Sequence, residues 1–365
     1  MNWYPCWSYR FQNYESLKTK VKNFHQTLTL KNNIDGEAIR VLFSNQYGQE
    51  VLNLDHMLIK INNQVYPLTH NGCHQLSLQP NEDIYSDEIK INLHAKNNLI
   101  VEISIQENEI HGYVGLNSHI MIDIQQDGYM NSGVLKKNFN SYVYFGIKAI
   151  EVLSHQDVCL ITAFGDSLIH QGYWMNHLFY ELYQRRDNVV VLNEGISGNR
   201  LLKDATSSSR LNSIFQKAGI KRFEEDVFQR YHPDLILFAE GINDLVHPGN
   251  GCHLNELPSS EEMKKGYQRI ESIVKKYNTK LLFMTLTPFY NYDGTWSLEK
   301  ECIRETVNQW IKVKENIDID SLVREDKKLK TCFDGGDHLH FNEDAGQYIA
   351  KYIVNTILMH LEKEG

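Results

Sequence analysis

The chain has 365 residues, 42% hydrophobic and 23% charged, an ordinary composition for a globular protein and a length that points to two domains. Its formal net charge of −9 argues against nucleic acid as a partner, because a phosphate backbone calls for a basic surface. No stretch reaches the ~18 apolar residues of a membrane span, and Met1-Asn2-Trp3-Tyr4-Pro5-Cys6-Trp7 lacks the pattern of a secretory leader. Cys6, Cys73, Cys159, Cys252, Cys302 and Cys332 lie far apart without paired spacing. Free thiols in a reducing compartment are expected, with cytoplasm the default.

Residues from about 24 to 150 read as β, within an expected first domain of 1–154. Alternating stretches at 24–30, 39–43, 57–61, 88–93, 99–105 and 141–147 are punctuated by Asp35-Gly36, Tyr47-Gly48 and Asn71-Gly72. Short strands at this spacing predict an antiparallel β-sandwich domain, jelly-roll-like. The aromatics Trp3, Tyr4, Trp7 and Tyr9 are expected to pack the sandwich against the domain that follows rather than to stack on sugar.

From 155 to 365 the pattern changes to alternating strand and helix. An apolar strand at 158–164 runs into a helical stripe at 173–186, then come strands at 189–192 and 235–239. A helix at 261–277, a strand at 280–285, a helix at 296–311 and a short strand at 317–320 follow. A last helix carries Ala345, Tyr348, Ile349, Tyr352, Ile353, Ile357 and Leu361 on one face. Trp174 and Trp310 fall on helical faces and read as core, and 324–328 as a solvated loop. This alternation predicts a parallel doubly wound sheet with ligands at the carboxyl ends of its strands.

The polar loops at those ends carry the chemistry. Gly165-Asp166-Ser167-Leu168 places a serine between a strand and a helix, and the same letters also suit a turn or an N-cap. In Asp337-His338-Leu339-His340 a carboxylate three residues ahead of His340 is able to fold back onto its Nδ1–H. That arrangement leaves Nε2 to take a serine proton, which a serine nucleophile needs. His338 is a rival base, but it adjoins Asp337 and is expected to point elsewhere. Gly198 and Asn243 suit the donation of a backbone N–H and a side-chain amide to an oxyanion, and each also suits a plain turn.

Gly165-Asp166-Ser167-Leu168, Gly195-Ile196-Ser197-Gly198-Asn199-Arg200, Gly241-Ile242-Asn243-Asp244 and Asp337-x-x-His340 stand in the order of the four blocks of the SGNH (GDSL-type) hydrolases, which the chain resembles over about 158–360. Through Leu42-Phe43-Ser44-Asn45-Gln46-Tyr47-Gly48, Glu240-Gly241-Ile242-Asn243-Asp244 and Thr285-Leu286-Thr287-Pro288-Phe289 it also resembles a two-domain branch with an N-terminal β-sandwich. The resemblance implies a flavodoxin-like three-layer α/β/α sandwich and a serine esterase acting through an acyl-enzyme. Ser167 would be the nucleophile, His340 the base and then acid, and Asp337 its orienting partner. The oxyanion hole would comprise the Ser167 N–H, the Gly198 N–H and the Asn243 side chain. Phe341 departs from the proline frequent after the family's histidine.

Asp166, Arg200 and His247 are candidates for the substrate pocket, a salt bridge being the alternative for Arg200. His247, Cys252 and His253, and Cys332, His338 and His340, form no CxxC or HxxxH spacing, so neither metal nor cofactor is expected. The expected partner is a small-molecule or carbohydrate ester, O-acetyl groups or short acyl chains in particular, with oligomeric state open. A lysophospholipase, lipase or thioesterase would use the same site. A protein of another class, binding carbohydrate without catalysis, would leave it idle.

Overall fold

The computed structural model describes residues 1–115, 121–132, 143–207 and 211–362. They form two compact units, one of Met1–Cys159 with Arg185–Leu192, the other of Leu160–Gln184 with Asn193–Gly365.

The first unit is antiparallel β. Its strands are β1 (Asn2–Ser8), β2 (Thr19–Lys31), β3 (Gly36–Ser44), β4 (His56–Ile61), β5 (Gln64–Pro67), β6 (Asp83–Tyr85), β7 (Ile89–Leu93), β8 (Asn98–Ile110), β9 (Asp123–Ser132) and β10 (Ile147–Ser154). One sheet runs β1-β10-β3-β7 with β6 also on β3, and the other β9-β2-β8-β4-β5. In β8, Leu99, Val101, Ile103 and Ile105 are buried while Ile100, Glu102 and Ser104 are less so, the period of two that gives a sheet one apolar face. Trp7 and Tyr9 are buried, with Trp7 edge-on to Tyr144 at 5.3 Å between ring centres.

Two readings of this half need correction. The stretch 141–147 lies partly outside the described residues, and its strand starts only at Ile147. Val143, Tyr144 and Phe145 are buried consecutively, so the run is apolar without being an alternating strand. The strand β1 was not anticipated, because Pro5 breaks the pattern. It is tolerated because β1 is an edge strand and its register shifts between Pro5 and Trp7.

The α/β part of the chain, of which Cys159 and Arg185–Leu192 are counted with the first unit, contains β11 (Cys159–Gly165), α1 (Ser167–His170), α2 (Tyr173–Arg185), β12 (Val189–Gly195), α3 (Gly219–Phe228), β13 (Leu235–Ala239), α4 (Asn243–Val246), α5 (Ser260–Tyr277), β14 (Lys280–Met284), α6 (Leu298–Lys312), β15 (Asn316–Ile317) and α7 (Glu343–Glu362). The sheet order is β12-β11-β13-β14-β15. This is the flavodoxin-like arrangement, whose direction of winding reverses between β11 and β13, and open α/β sheets take ligands at that reversal. Residues Ile161 to Gly165 run parallel to Leu235 to Ala239 in direct register, so the loops after both strands leave from the same edge. Phe164, Phe223, Phe238, Tyr267 and Phe283 are among the buried side chains of the core beneath.

Local chemistry sets the helix ends. Ser259 and Glu262 form a capping box at the start of α5, and Asn278 closes it at φ 53°. The expected strand at 317–320 shrinks to Asn316–Ile317, because Asp318 caps a short helix with its carboxylate on the Ser321 N–H. Helix α3 was not foreseen, since its apolar positions are few among charged ones. In α7 the buried face is Ala345, Ile349, Ala350, Ile353, Val354 and Ile357, whereas Tyr348 and Tyr352 are each 46% exposed. The tyrosines sit one residue, about 100°, off that face. No helix among the described residues is long and apolar enough to cross a membrane. All six cysteines are free thiols.

Candidate active site

The site begins at the end of β11. A Cβ on Gly165 would lie 2.1 Å from the Ala239 carbonyl oxygen, so only glycine lets the two strand ends approach this closely. Asp166 then caps α1 by accepting the Leu168 N–H at 3.0 Å, which leaves Ser167 as the first helical residue. Ser167 Oγ lies 2.8 Å from His340 Nε2, although the two are 173 positions apart.

On its other side His340 Nδ1 is 2.6 Å from Asp337 Oδ2. Asp337 Oδ1 accepts the backbone N–H groups of Leu339 and His340 at 3.0 and 2.8 Å, so this short turn folds onto its own carboxylate. Burial pushes the Asp337 carboxyl up, but the hydrogen bond and charge of His340 and these N–H groups outweigh it and hold the carboxyl well below its usual range. An ionised Asp337 accepts only, which assigns the proton to Nδ1 and leaves the Nε2 lone pair facing the serine hydroxyl. Tyr292 stands edge-on to the His340 ring at 6.2 Å. His338 turns away and pairs with Asp334, Nδ1 to Oδ2 2.6 Å, as expected of the rival base.

The loop after β12 lies alongside. A Cβ on Gly195 would sit 2.3 Å from the His170 nitrogen, the Ile196 N–H reaches the Gly165 carbonyl at 2.9 Å, and His170 Nδ1 is 2.8 Å from Ser197 Oγ. Gly198 has φ 74°, a left-handed conformation that favours glycine. Asn243, at the start of α4, donates one amide hydrogen to the Asn199 carbonyl at 2.8 Å, which leaves its second hydrogen. Among the described residues neither the Ser167 nor the Gly198 N–H is donated to a protein acceptor.

The three pocket candidates fare differently. Gly198, Arg200 and His247 line one narrow pocket together with Phe215 and Cys252. Arg200 is 3% exposed and its guanidinium is committed to Glu256 at 2.9 Å, Cys252 Sγ at 3.1 Å and the Asp204 carbonyl. It is a salt-bridged wall. His247 packs on Phe215 at 5.0 Å between ring centres, and burial, aided by Arg200 and Lys300, pushes its pKa down to about 4. Asp166 is 1% exposed, caps α1 and does not line that pocket. Desolvation raises its pKa to about 7.

Sequence reasoning missed the charged groups beneath the site. Glu240, Asp244 and Arg222 are all buried. Asp244 accepts the Leu201 and Leu202 N–H groups at 2.6 and 3.0 Å, although burial still raises its pKa to about 6. Asp244 stood in plain view inside the third block; nothing in the sequence signalled Arg222, because its helix went unread. Among the described residues no group of three or more His, Cys, Asp or Glu is arranged to hold a metal ion.

Comparison with known proteins adds the following. The sequence model of the GDSL-like lipase/acylhydrolase family matches residues 161–353. Among solved structures, a carbohydrate acetylesterase from Sinorhizobium meliloti aligns with 15% identity and a TM-score of 0.44, covering 55% of this chain and 99% of its own. An aryl esterase of M. smegmatis aligns with 15% identity and a TM-score of 0.43 over the same shares. A curated FMN-dependent NADH:quinone oxidoreductase of Pelagibacter ubique (strain HTCC1062) is 24% identical over 155 residues, 42% of this chain and 77% of that protein.

Proposed function

We propose a serine-esterase mechanism for this chain, which belongs to the GDSL-like lipase/acylhydrolase family and is a carboxylic ester hydrolase. Ser167 Oγ attacks the ester carbonyl while His340 Nε2 takes its proton, and Asp337 holds the ring and balances the imidazolium charge. The tetrahedral oxyanion is met by the Ser167 N–H, the Gly198 N–H and the free hydrogen of the Asn243 amide. The intermediate collapses to an acyl-Ser167, and His340 returns the proton to the departing alcohol. Water, deprotonated by the same imidazole, then attacks the acyl carbonyl and frees the acid and Ser167. The observation that carries this reading is the line Asp337–His340–Ser167, with 2.6 and 2.8 Å between successive partners.

The narrow space beside Gly198 supports a short acyl group. A Cβ on Gly198 would come 2.1 Å from the Phe215 ring, on which His247 packs at 5.0 Å between ring centres. Acetyl and similar esters, with O-acetyl groups on carbohydrate as the natural class, are therefore the proposed substrates. A panel of p-nitrophenyl esters and acetylated sugars tests this. Rates should fall steeply with acyl length, and a preference for long chains would overturn the substrate proposal. A β-sandwich domain of residues 1–154 followed by a hydrolase domain of 155–365, working in a reducing, cytoplasmic setting, belongs to the same proposal. The free cysteines support the setting.

A further inference from the structure

We infer that Arg222 is the positioning residue of the oxyanion hole, holding in register the three strand ends that carry its donors; the inference rests on the esterase reading above. Arg222 lies in α3 and is 3% exposed. Its Nε donates to Asn199 Oδ1 at 2.7 Å. Nη1 donates to the Glu194 carbonyl at 3.0 Å and to Asp226 Oδ2 at 2.9 Å. Nη2 donates to the Gly165 carbonyl at 2.9 Å and to Glu240 Oε2 at 3.3 Å. The five N–H groups of a guanidinium thus have five acceptors, in the fixed fork that only arginine offers. The plane rests on the Phe164 ring at 3.9 Å.

The acceptors are distributed with a purpose that charge balance alone does not need. Asp226, on the same helix, already supplies a buried counter-charge. The remaining acceptors lie at the ends of β11, β12 and β13 or just past them. Gly165 precedes the Asp166-Ser167 pair, Asn199 follows Gly198 directly, and Glu240 leads through Gly241-Ile242 into Asn243. One rigid side chain therefore touches every segment that contributes an oxyanion donor. The Gly165 carbonyl it holds also accepts the Ile196 N–H at 2.9 Å, and the Asn199 residue it holds receives the Asn243 amide. Moving the fork would shift all three donors relative to one another, and a shift near 1 Å is enough to cost about 10² in rate.

The test compares Arg222→Lys, Arg222→Met and Ser167→Ala with the parent protein. The readouts are kcat and KM on p-nitrophenyl acetate below each variant's melting temperature, and the affinity of a short alkylboronic acid that forms a tetrahedral adduct. Both Arg222 variants are expected to lose about 10²-fold in kcat with KM unchanged, and boronate affinity should fall in step, the pattern of an interaction made in the transition state. Should Arg222→Met fail to fold, Arg222→Lys decides the matter by the same readouts, since it keeps a cation against Glu240 and loses the fork. A folded Arg222→Lys with parental kcat overturns the inference and leaves the esterase reading standing. So does a variant whose boronate affinity is unchanged while its rate falls. An active Ser167→Ala overturns the reading, and the inference with it.

Discussion

His170 offers a stability prediction that the structure fixes in sign and size. The residue ends α1, is fully buried, and sits against Ser197. Burial pushes its pKa from 6.5 down to about 3. The native imidazole stays neutral on mild acidification, while the unfolded chain takes up a proton near its ordinary value of about 6.5. The stability associated with neutral His170 is therefore complete above about pH 6.5 and drains away as pH falls towards 3. At about pH 5 the difference amounts to about 2 kcal/mol. His247, pushed down to about 4, acts in the same direction. Asp166 and Asp244, raised to about 7 and about 6, act oppositely, because a raised carboxyl destabilises the native state at neutral pH and this relents on acidification. The net slope mixes these effects, so the test is a comparison. His170→Asn keeps a polar atom near the Nδ1 position and removes the titration. Urea unfolding of both proteins should show the parent losing about 2 kcal/mol more than the variant between about pH 7 and about pH 5. An equal loss in both would refute the reasoning.

Other expectations follow from single contacts. Gly165→Ala drives a methyl against the Ala239 carbonyl at 2.1 Å and should destabilise by about 1–3 kcal/mol, read as a lower melting temperature. Asp337→Asn keeps the shape of the turn but lets His340 take the wrong tautomer, and kcat should drop roughly 10³–10⁴-fold with little change in melting temperature. Arg304→Ala strips the cation bound at 2.6 Å from buried Glu301 and Asp320, and leaves Asp320 only Arg324 at 3.5 Å. It should cost about 3–5 kcal/mol in denaturant unfolding.

Much of the fold was legible because backbone pattern and chemistry coincide. Apolar runs such as Leu235 to Ala239 mark fully buried parallel strands, and the polar loops after β11, β12 and β13 stand out against them. Ser167, Asp337 and His340 stood out because their blocks occur in one order along the chain, and the structure places His340 at hydrogen-bond distance from Ser167 on one side and from Asp337 on the other. The pocket was less readable. Asp166 is a carboxylate before a helix, and the helix's own Leu168 N–H takes one of its oxygens. Helix α3 was hidden because buried Arg222 looks hydrophilic in any periodicity, although its fork satisfies every N–H. Tyr348 and Tyr352 misled in the opposite sense, being apolar enough to join a stripe and polar enough to stay at the surface.

The central claim, that Ser167 performs the chemistry with His340 and Asp337 behind it, is tested most directly by the steady-state hydrolysis of p-nitrophenyl acetate by folded Ser167→Ala. The account predicts that turnover collapses by several powers of ten, as expected when the nucleophile of a triad is removed. Hydrolysis by Ser167→Ala at the parental rate would contradict it.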